Sequence, residues 1–403
     1  MPNYFGEHFD TLTIVGNGFD LALGAETTYE SFYNCLKCCF ESNAIDSFKR
    51  QYAREGNDSF VERFFETVSK EKANYFINYF LLYEKIFGDW VSFETELSKI
   101  IVSFDSLLTH LKNPTDYHID LSNTLYLKTS NDIGLMSVFN VLPNNKFFSV
   151  DLKPWYGKTQ ELFRFSFVGK EPKNKFDVYK HIADFSDSFP KELYRDLSVF
   201  SRLFENFLFI TKASNTKDVS FGKILNSSCF VNYNYTDYLD AELRKIGNKT
   251  ARVLYINGKA DYFLKKDHKG IVFGIDSSTA IKNNGFDVFT KTVQRSMCDT
   301  GINVLSYCLG GGAFSEILVF GHSLSLADYE SLHFIISTCE KEDFRPRITV
   351  YCYDEKAKID AIINLRTILG KETFDGYQRE GLVCFIESKN EAIQGKKMEE
   401  KGV

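Results

Sequence analysis

The sequence predicts an α/β protein: a doubly wound parallel sheet with a large helical insertion after its first strand. Three observations lead there. Residues 11–24 (TLTIVGNGFDLALG) read as a strand, a glycine turn and a helix start. A long, aromatic-rich helical stretch fills residues 28–225. After it the chain turns to short apolar strands that end in small or polar residues, the layout of a parallel sheet with a ligand crevice at its strand C-termini. The expected organisation is an α/β core from residues 10–27 and 225–388, an insertion over 28–224, and a polar, mobile tail over 389–403.

In the opening stretch, Leu12, Thr13, Ile14 and Val15 suit a buried strand, Gly16 and Gly18 break it, and the residues from Phe19 to Leu23 begin a helix. Such a turn presents backbone N–H groups to an anion, and its glycines let a ligand approach without a Cβ in the way. The pattern is not G-x-G-x-x-G, because the third glycine would fall on Leu21, and no acid closes a second strand about twenty residues on. A tight turn without ligand therefore stays open at this point.

Residues 28–40 place Tyr29, Phe32, Tyr33, Leu36 and Phe40 on one helical face. The C-x-x-C-C at Cys35, Cys38 and Cys39 lacks a second cysteine pair or histidine cluster, so it reads as core packing. Helix continues over 58–110. Residues 74–90 are too apolar all round for a surface helix and should be buried, against the body or a partner chain. Trp90 and Glu94 read as helix packing plus a surface or buried pair, with catalysis as the alternative. Residues 111–190 lack firm periodicity and suggest an irregular segment with short elements. An amphipathic helix follows over 191–210, with Leu193, Leu197, Phe200, Leu203, Phe204 and Phe207 in line.

Strands are expected at 229–233, 252–256, 271–273, 317–320, 348–353 and 382–386. They lead into Asn234 to Asp237, Asn257-Gly258, Gly274 to Asp276, and Gly321 to Ser325. Thr236 or Asp237 also suits a helix N-cap, and Asp328 with Tyr329 a helix start. Lys291 and Arg295 fit a solvated helix face or contacts to ligand phosphates.

The 403 residues are 44% hydrophobic and 25% charged, as in globular proteins. With 39 Phe and 22 Tyr against 7 Pro, they suit a helix-rich body packed with rings. A net charge of -6 gives no general attraction to nucleic acid. No apolar run reaches membrane-span length. The first residues lack the basic and apolar regions of a secretory signal, and nine cysteines fall irregularly, so reduced thiols and a cytoplasmic location are expected.

The strand-end residues form a set. GNGFDLALG, the Trp90-to-Glu94 run, NYTDYLD, YING with IVFGID, FTKTVQR and VFGHSLSLADYE occur in that order over residues 11 to 330. Together they resemble the abortive-infection AbiH family of phage-defence proteins. That family in turn resembles the sirtuin-like, Rossmann-like NAD-binding fold. Sirtuins carry G-A-G-x-S-x-x-x-G at the first turn, which is similar to Gly16, Asn17, Gly18, Asp20 and Gly24 here, with Asp20 in the serine position. Their asparagine–aspartate motif resembles Asn234 and Asp237, their His-Gly resembles Asn257-Gly258, and their late Gly-x-Ser resembles Gly321-His322-Ser323.

The resemblance implies a bacterial anti-phage role, with NAD as ligand or substrate, no metal, and cleavage of the nicotinamide–ribose bond. Asn234 would position the ribose or a water, Asp237 would balance charge, and Gly16 and Gly18 would cradle the pyrophosphate. The departure is Asn257, where sirtuin-type enzymes use a histidine base; asparagine takes no proton near neutral pH. Either His322 serves instead, or the pocket is a non-catalytic nucleotide sensor. A homo-oligomer, latent until a phage-derived trigger arrives, completes the expectation.

Overall fold

A computed structural model describes residues 10–42, 44–82, 90–119, 122–128, 148–153, 162–167, 172–212, 217–260, 270–276, 279, 281–282, 284–301, 305–306, 309, 314–340 and 344–387. In chain order its strands are β1 (Asp10–Val15), β2 (Tyr117–Ile119), β3 (Leu125–Lys128), β4 (Phe148–Lys153), β5 (Leu162–Phe167), β6 (Cys229–Asn232), β7 (Arg252–Tyr255), β8 (Phe314–Phe320), β9 (Arg347–Cys352) and β10 (Val383–Glu387). The chain divides into two compact units, one drawn from residues 1–31, 207–272 and 294–403, the other from 32–206 and 273–293.

The first unit is an α/β body on a six-stranded sheet ordered β10-β9-β8-β1-β6-β7, and its pairings are parallel. β1 is central, with Ile14 opposite Val231 on one side and Val319 on the other. Alternation along each strand feeds two cores. Leu12, Ile14, Val231 and Val319 point to one face, which buries Leu332 and Ile335 from the helix Tyr329–Cys339 and Leu365 from the helix Glu355–Leu369. Val15, Phe230, Leu318 and Phe320 point to the other, against Phe19, Phe221, and Leu239 from the helix Tyr238–Lys245. Burial on both faces is why these strands are apolar almost throughout.

Numbered in chain order, the six strands run 3-2-1-4-5-6, so the winding reverses between β1 and β8. The expected strand at 271–273 does not form. Ile271, Val272 and Phe273 are buried, and the Val272 N–H donates to the Asn257 carbonyl beyond the end of β7 while the Val272 carbonyl accepts from Tyr235 OH, but among the described residues no ladder follows.

In the second unit helices carry most of the core. Between 58 and 112 the described residues are largely helical, as expected, in Asp58–Lys70, Tyr75–Leu82 and Trp90–Lys112, with a described break at residues 71–74. Tyr75, Phe76, Ile77, Tyr79 and Phe80 are buried, as their all-round apolarity requires. The rest of the run expected over 74–90, residues 83–89, lies outside the described residues. Phe200 sits at the centre of a ring cluster, 5.2–6.4 Å from Phe32, Phe76, Phe80, Phe93 and Phe273.

Two features of this unit escape the sequence. The stretch read as irregular with short elements holds short strands, but in an antiparallel sheet ordered β2-β3-β5-β4, in which β3 pairs with the neighbouring β2 and with β5 about forty residues on, Leu125 opposite Phe165. The helix expected from residue 191 begins at Lys175 and runs through Pro190 to Ile210. A proline normally ends a helix by removing a donor. Here the buried stripe Val178, Ile182, Phe185 and Phe189 continues into Leu193 and Leu197, and packing holds the helix through the break.

Lys291 is no solvated residue: it is 1% exposed, and its ammonium lies 3.0 Å from the buried Glu94 carboxylate. Glu94 thus forms a buried pair of the kind read from its sequence context.

Replacing Phe200 by alanine should destabilise the helical unit by about 3–5 kcal/mol, read as a shifted urea midpoint, because the cavity opens amid rigid rings.

Candidate functional site

At the reversal between β1 and β8, two loops touch backbone to backbone. Gly16 N donates to Phe320 O at 3.0 Å and Gly18 N to Gly321 O at 2.9 Å. A Cβ on Gly18 would lie 2.6 Å from Gly321 Cα, and one on Gly321, whose φ is +67°, would lie 2.5 Å from Phe19 N. These glycines are therefore required by the seam itself. Their amides are also occupied, so a bound pyrophosphate would not find the Gly16 and Gly18 N–H groups free.

The end of β6 is tied into the same seam. Asn234 Nδ2 donates to Gly16 O at 3.0 Å and to Asp20 Oδ1 at 2.9 Å, while Thr236 Oγ1 donates to Asp20 Oδ2 at 2.5 Å. Both amide hydrogens of Asn234 are thus used, leaving its Oδ1 as an acceptor. Asp20 is 1% exposed. Burial pushes its carboxyl up to about 7, against the opposing pull of the Thr236 and Asn234 hydrogen bonds.

A second buried network crosses the ends of β6, β7 and β8. Asn257 Nδ2 donates to Tyr233 O at 3.4 Å, and Asn257 Oδ1 accepts from Arg295 Nη2 at 3.1 Å. The same nitrogen donates to Asp328 Oδ1 at 3.2 Å, and Asp328 Oδ2 lies 3.6 Å from His322 Nε2. Arg295 is 4% exposed, which corrects the expectation of a solvated face, and its Nε is buried without a partner. His322 Nδ1 accepts from Leu324 N at 3.0 Å, so in the neutral ring the proton sits on Nε2, toward Asp328. The imidazole lies 4.3 Å from the Tyr233 ring. Ser331 donates to Asp328 O, which leaves Tyr233 OH as the donor to Ser331 Oγ at 2.9 Å.

The remaining candidates stand outside these two networks. Asn17 Oδ1 accepts from Thr27 Oγ1 at 2.7 Å. Gly24 takes a φ of +82° beside the Lys217 side chain, and Gly258 a φ of +78° against Gly270 O. Asp237 precedes the helix Tyr238–Lys245 without capping it through its side chain and pairs with Lys212 at 3.0 Å. Ser323 is exposed, its carbonyl held by Asn364 Nδ2 at 3.1 Å. Asp328 does precede a helix, as read, and Arg295 adds a second duty. Sequence reasoning cast Thr236 only as a cap and passed over Tyr233 and Ser331; the signal was there, since NYTDYLD places a hydroxyl two residues after Asn234.

Among the described residues no group of three or more His, Cys, Asp or Glu side chains is arranged to hold a metal ion. No described helix is long and apolar enough to cross a membrane.

Gly321→Ala should lower stability by at least about 2 kcal/mol in urea unfolding, from backbone collision and a left-handed φ together. Asp20 also sets a pH dependence. Its folded value, about 7, lies above the ordinary 3.8, so the folded state binds the extra proton between those values and stability falls as pH rises through that window. Asp20→Asn should flatten the slope and gain up to about 4 kcal/mol above pH 7, checked by unfolding at pH values across the window.

A family model described as bacteriophage abortive infection AbiH matches residues 12–351. No curated protein and no solved structure matches the chain. With most of its length covered, from β1 into β9, the chain belongs to the bacteriophage abortive infection AbiH family.

Proposed function

We propose that this chain serves anti-phage defence by binding NAD outside the C-terminal ends of β1, β6 and β8 and hydrolysing its nicotinamide–ribose bond. The observation that carries the reading is the convergence of Gly16 and Asp20, Asn234 and Thr236 on one seam at the reversal of a parallel sheet. Strand order 3-2-1-4-5-6 is that of Rossmann-like, doubly wound nucleotide-binding sheets, whose ligands lie at such a reversal.

The bond breaks through an oxocarbenium-like state, so the protein must hold the ribose, favour positive charge and accept a proton from the attacking water. Asn234, locked by two donated hydrogen bonds, keeps Oδ1 as a rigid acceptor for a ribose hydroxyl or that water. Asp20 and Asp237 supply carboxylates near the developing charge. Such an enzyme must stay silent in an uninfected cell, and assembly of copies on a phage-derived trigger is the regulation this reading carries.

A second reading has its own observation. Asn257 Oδ1 is taken by Arg295, and His322 carries its proton toward Asp328, so neither supplies a ready base. On that ground the pocket is a nucleotide sensor without turnover.

Nicotinamide release from NAD by the purified chain, alone and in phage-infected lysate, separates the two. The enzyme predicts release that Asn234→Ala lowers by about 100-fold or more, with NAD binding in calorimetry kept within severalfold. NAD bound with no release in either condition rejects hydrolysis and leaves the sensor.

A further inference from the structure

Asp20 is a buried carboxylate whose two hydrogen-bond partners are both uncharged. It is 1% exposed, and Asn234 and Thr236 are its donors. Among the described residues no lysine, arginine or histidine pairs with it. The helix Gly18–Ala22 that carries it, and Leu23 just after, are seated through Phe19 and Leu23 in an apolar cluster with Val15, Phe230, Leu239 and Phe320. The charge acting on it is that of Asp237, which is itself paired with Lys212 and disfavours ionisation of Asp20. A carboxylate so placed takes up a proton far more readily than one in water.

The proton must come through a neighbour, because Asp20 itself is shielded. Of its two partners, the Asn234 amide cannot exchange a proton near neutrality, and both its hydrogens are engaged. Thr236 can. A hydroxyl donates and accepts at once, and Thr236 is only half-buried, whereas Asp20 is closed off.

We propose that Thr236 and Asp20 form the proton-accepting relay of this site, taking the place of a histidine base. The substrate in this scheme rests on the NAD-cleaving reading. As water attacks the ribose carbon, one water O–H bond breaks and that proton joins Thr236 Oγ1. The Thr236 hydroxyl proton passes in the same event to Asp20 Oδ2. Hydroxyl is left on the ribose, the electron pair of the broken bond leaves with nicotinamide, and the relay ends with a neutral Asp20 donating to Thr236. Asn257 then needs no acid–base role and is free to hold Arg295.

The test combines difference infrared spectroscopy with turnover, on the full chain and on Asp20→Asn, Thr236→Val and Thr236→Ser. The expected spectrum has a carboxylic-acid carbonyl band that fades as pH rises, with its midpoint near 7, and that Asp20→Asn abolishes. Thr236→Val should move the midpoint upward, since the ionised form loses a donor, and Thr236→Ser should restore it. In turnover, Thr236→Val should lower kcat about 100-fold with KM kept, and Thr236→Ser should keep most of the rate. A spectrum with no Asp20-dependent acid band would overturn the relay, as would a Thr236→Val chain that turns over at the parent rate with the same acid limb. A parent chain that shows the titrating band but releases no nicotinamide keeps the relay and rejects NAD cleavage.

Discussion

The first unit depends on an approach of two backbones that only glycine allows. Gly16, Gly18 and Gly321 let the turn after β1 and the turn after β8 lie against each other, closed by hydrogen bonds of 2.9 and 3.0 Å. A methyl group on any of the three would stand within 2.6 Å of the opposing backbone. Because the sheet winding reverses at this point, the seam decides where β1 ends and where β8 turns. It also sets the height at which Asn234 and Asp20 meet. The glycines that look like a phosphate loop serve first as a joint, and the chemistry is arranged around that joint.

The two buried networks divide the polar work. One, built on Asp20, Asn234 and Thr236, holds a group able to change its protonation state near neutrality. The other, built on Asn257, Arg295, Asp328 and His322, is tied together by hydrogen bonds to the backbone and by ion-pair contacts. A histidine at position 257 would offer Arg295 one lone pair at most and, once protonated, a second positive charge beside a buried guanidinium. Asparagine offers a neutral carbonyl oxygen. Its presence follows from the arginine it faces.

Much of the first unit was legible. Leu12 to Val15, Phe230 and Val231, Leu254, Ile317 to Phe320 and Ile348 to Tyr351 stood out because doubly covered parallel strands are apolar on both sides. Residues 271–273 carry the same signature and form no strand, since burial alone sets the composition and a ladder needs a neighbour in register. Local pattern also failed at β2 to β5, where the strands are short and β3 must find β5 about forty residues on, and at Pro190, where aromatic packing outweighs a missing donor. For the site, the motifs named Gly16, Asp20, Asn234, Asn257 and His322. They could not tell that the Gly16 and Gly18 amides are spent, nor that Arg295 is interior, because both facts are properties of pairs distant in sequence.

The placement of β1 bears on how the protein is made. Its six residues are made before either of its partners, β6, beginning at Cys229, and β8, ending at Phe320. At roughly 5–20 residues per second, something like 10–45 s pass before β6 is made and 15–60 s before β8 completes the pairing. During that interval an apolar segment without ladder partners is a natural client for chaperones and for self-association. The Gly16–Gly321 seam likewise has no existence until the eighth strand has emerged. A chain stopped before Phe320 therefore lacks the site altogether, and a cell making this protein is exposed to whatever the site does only through molecules translated past that strand.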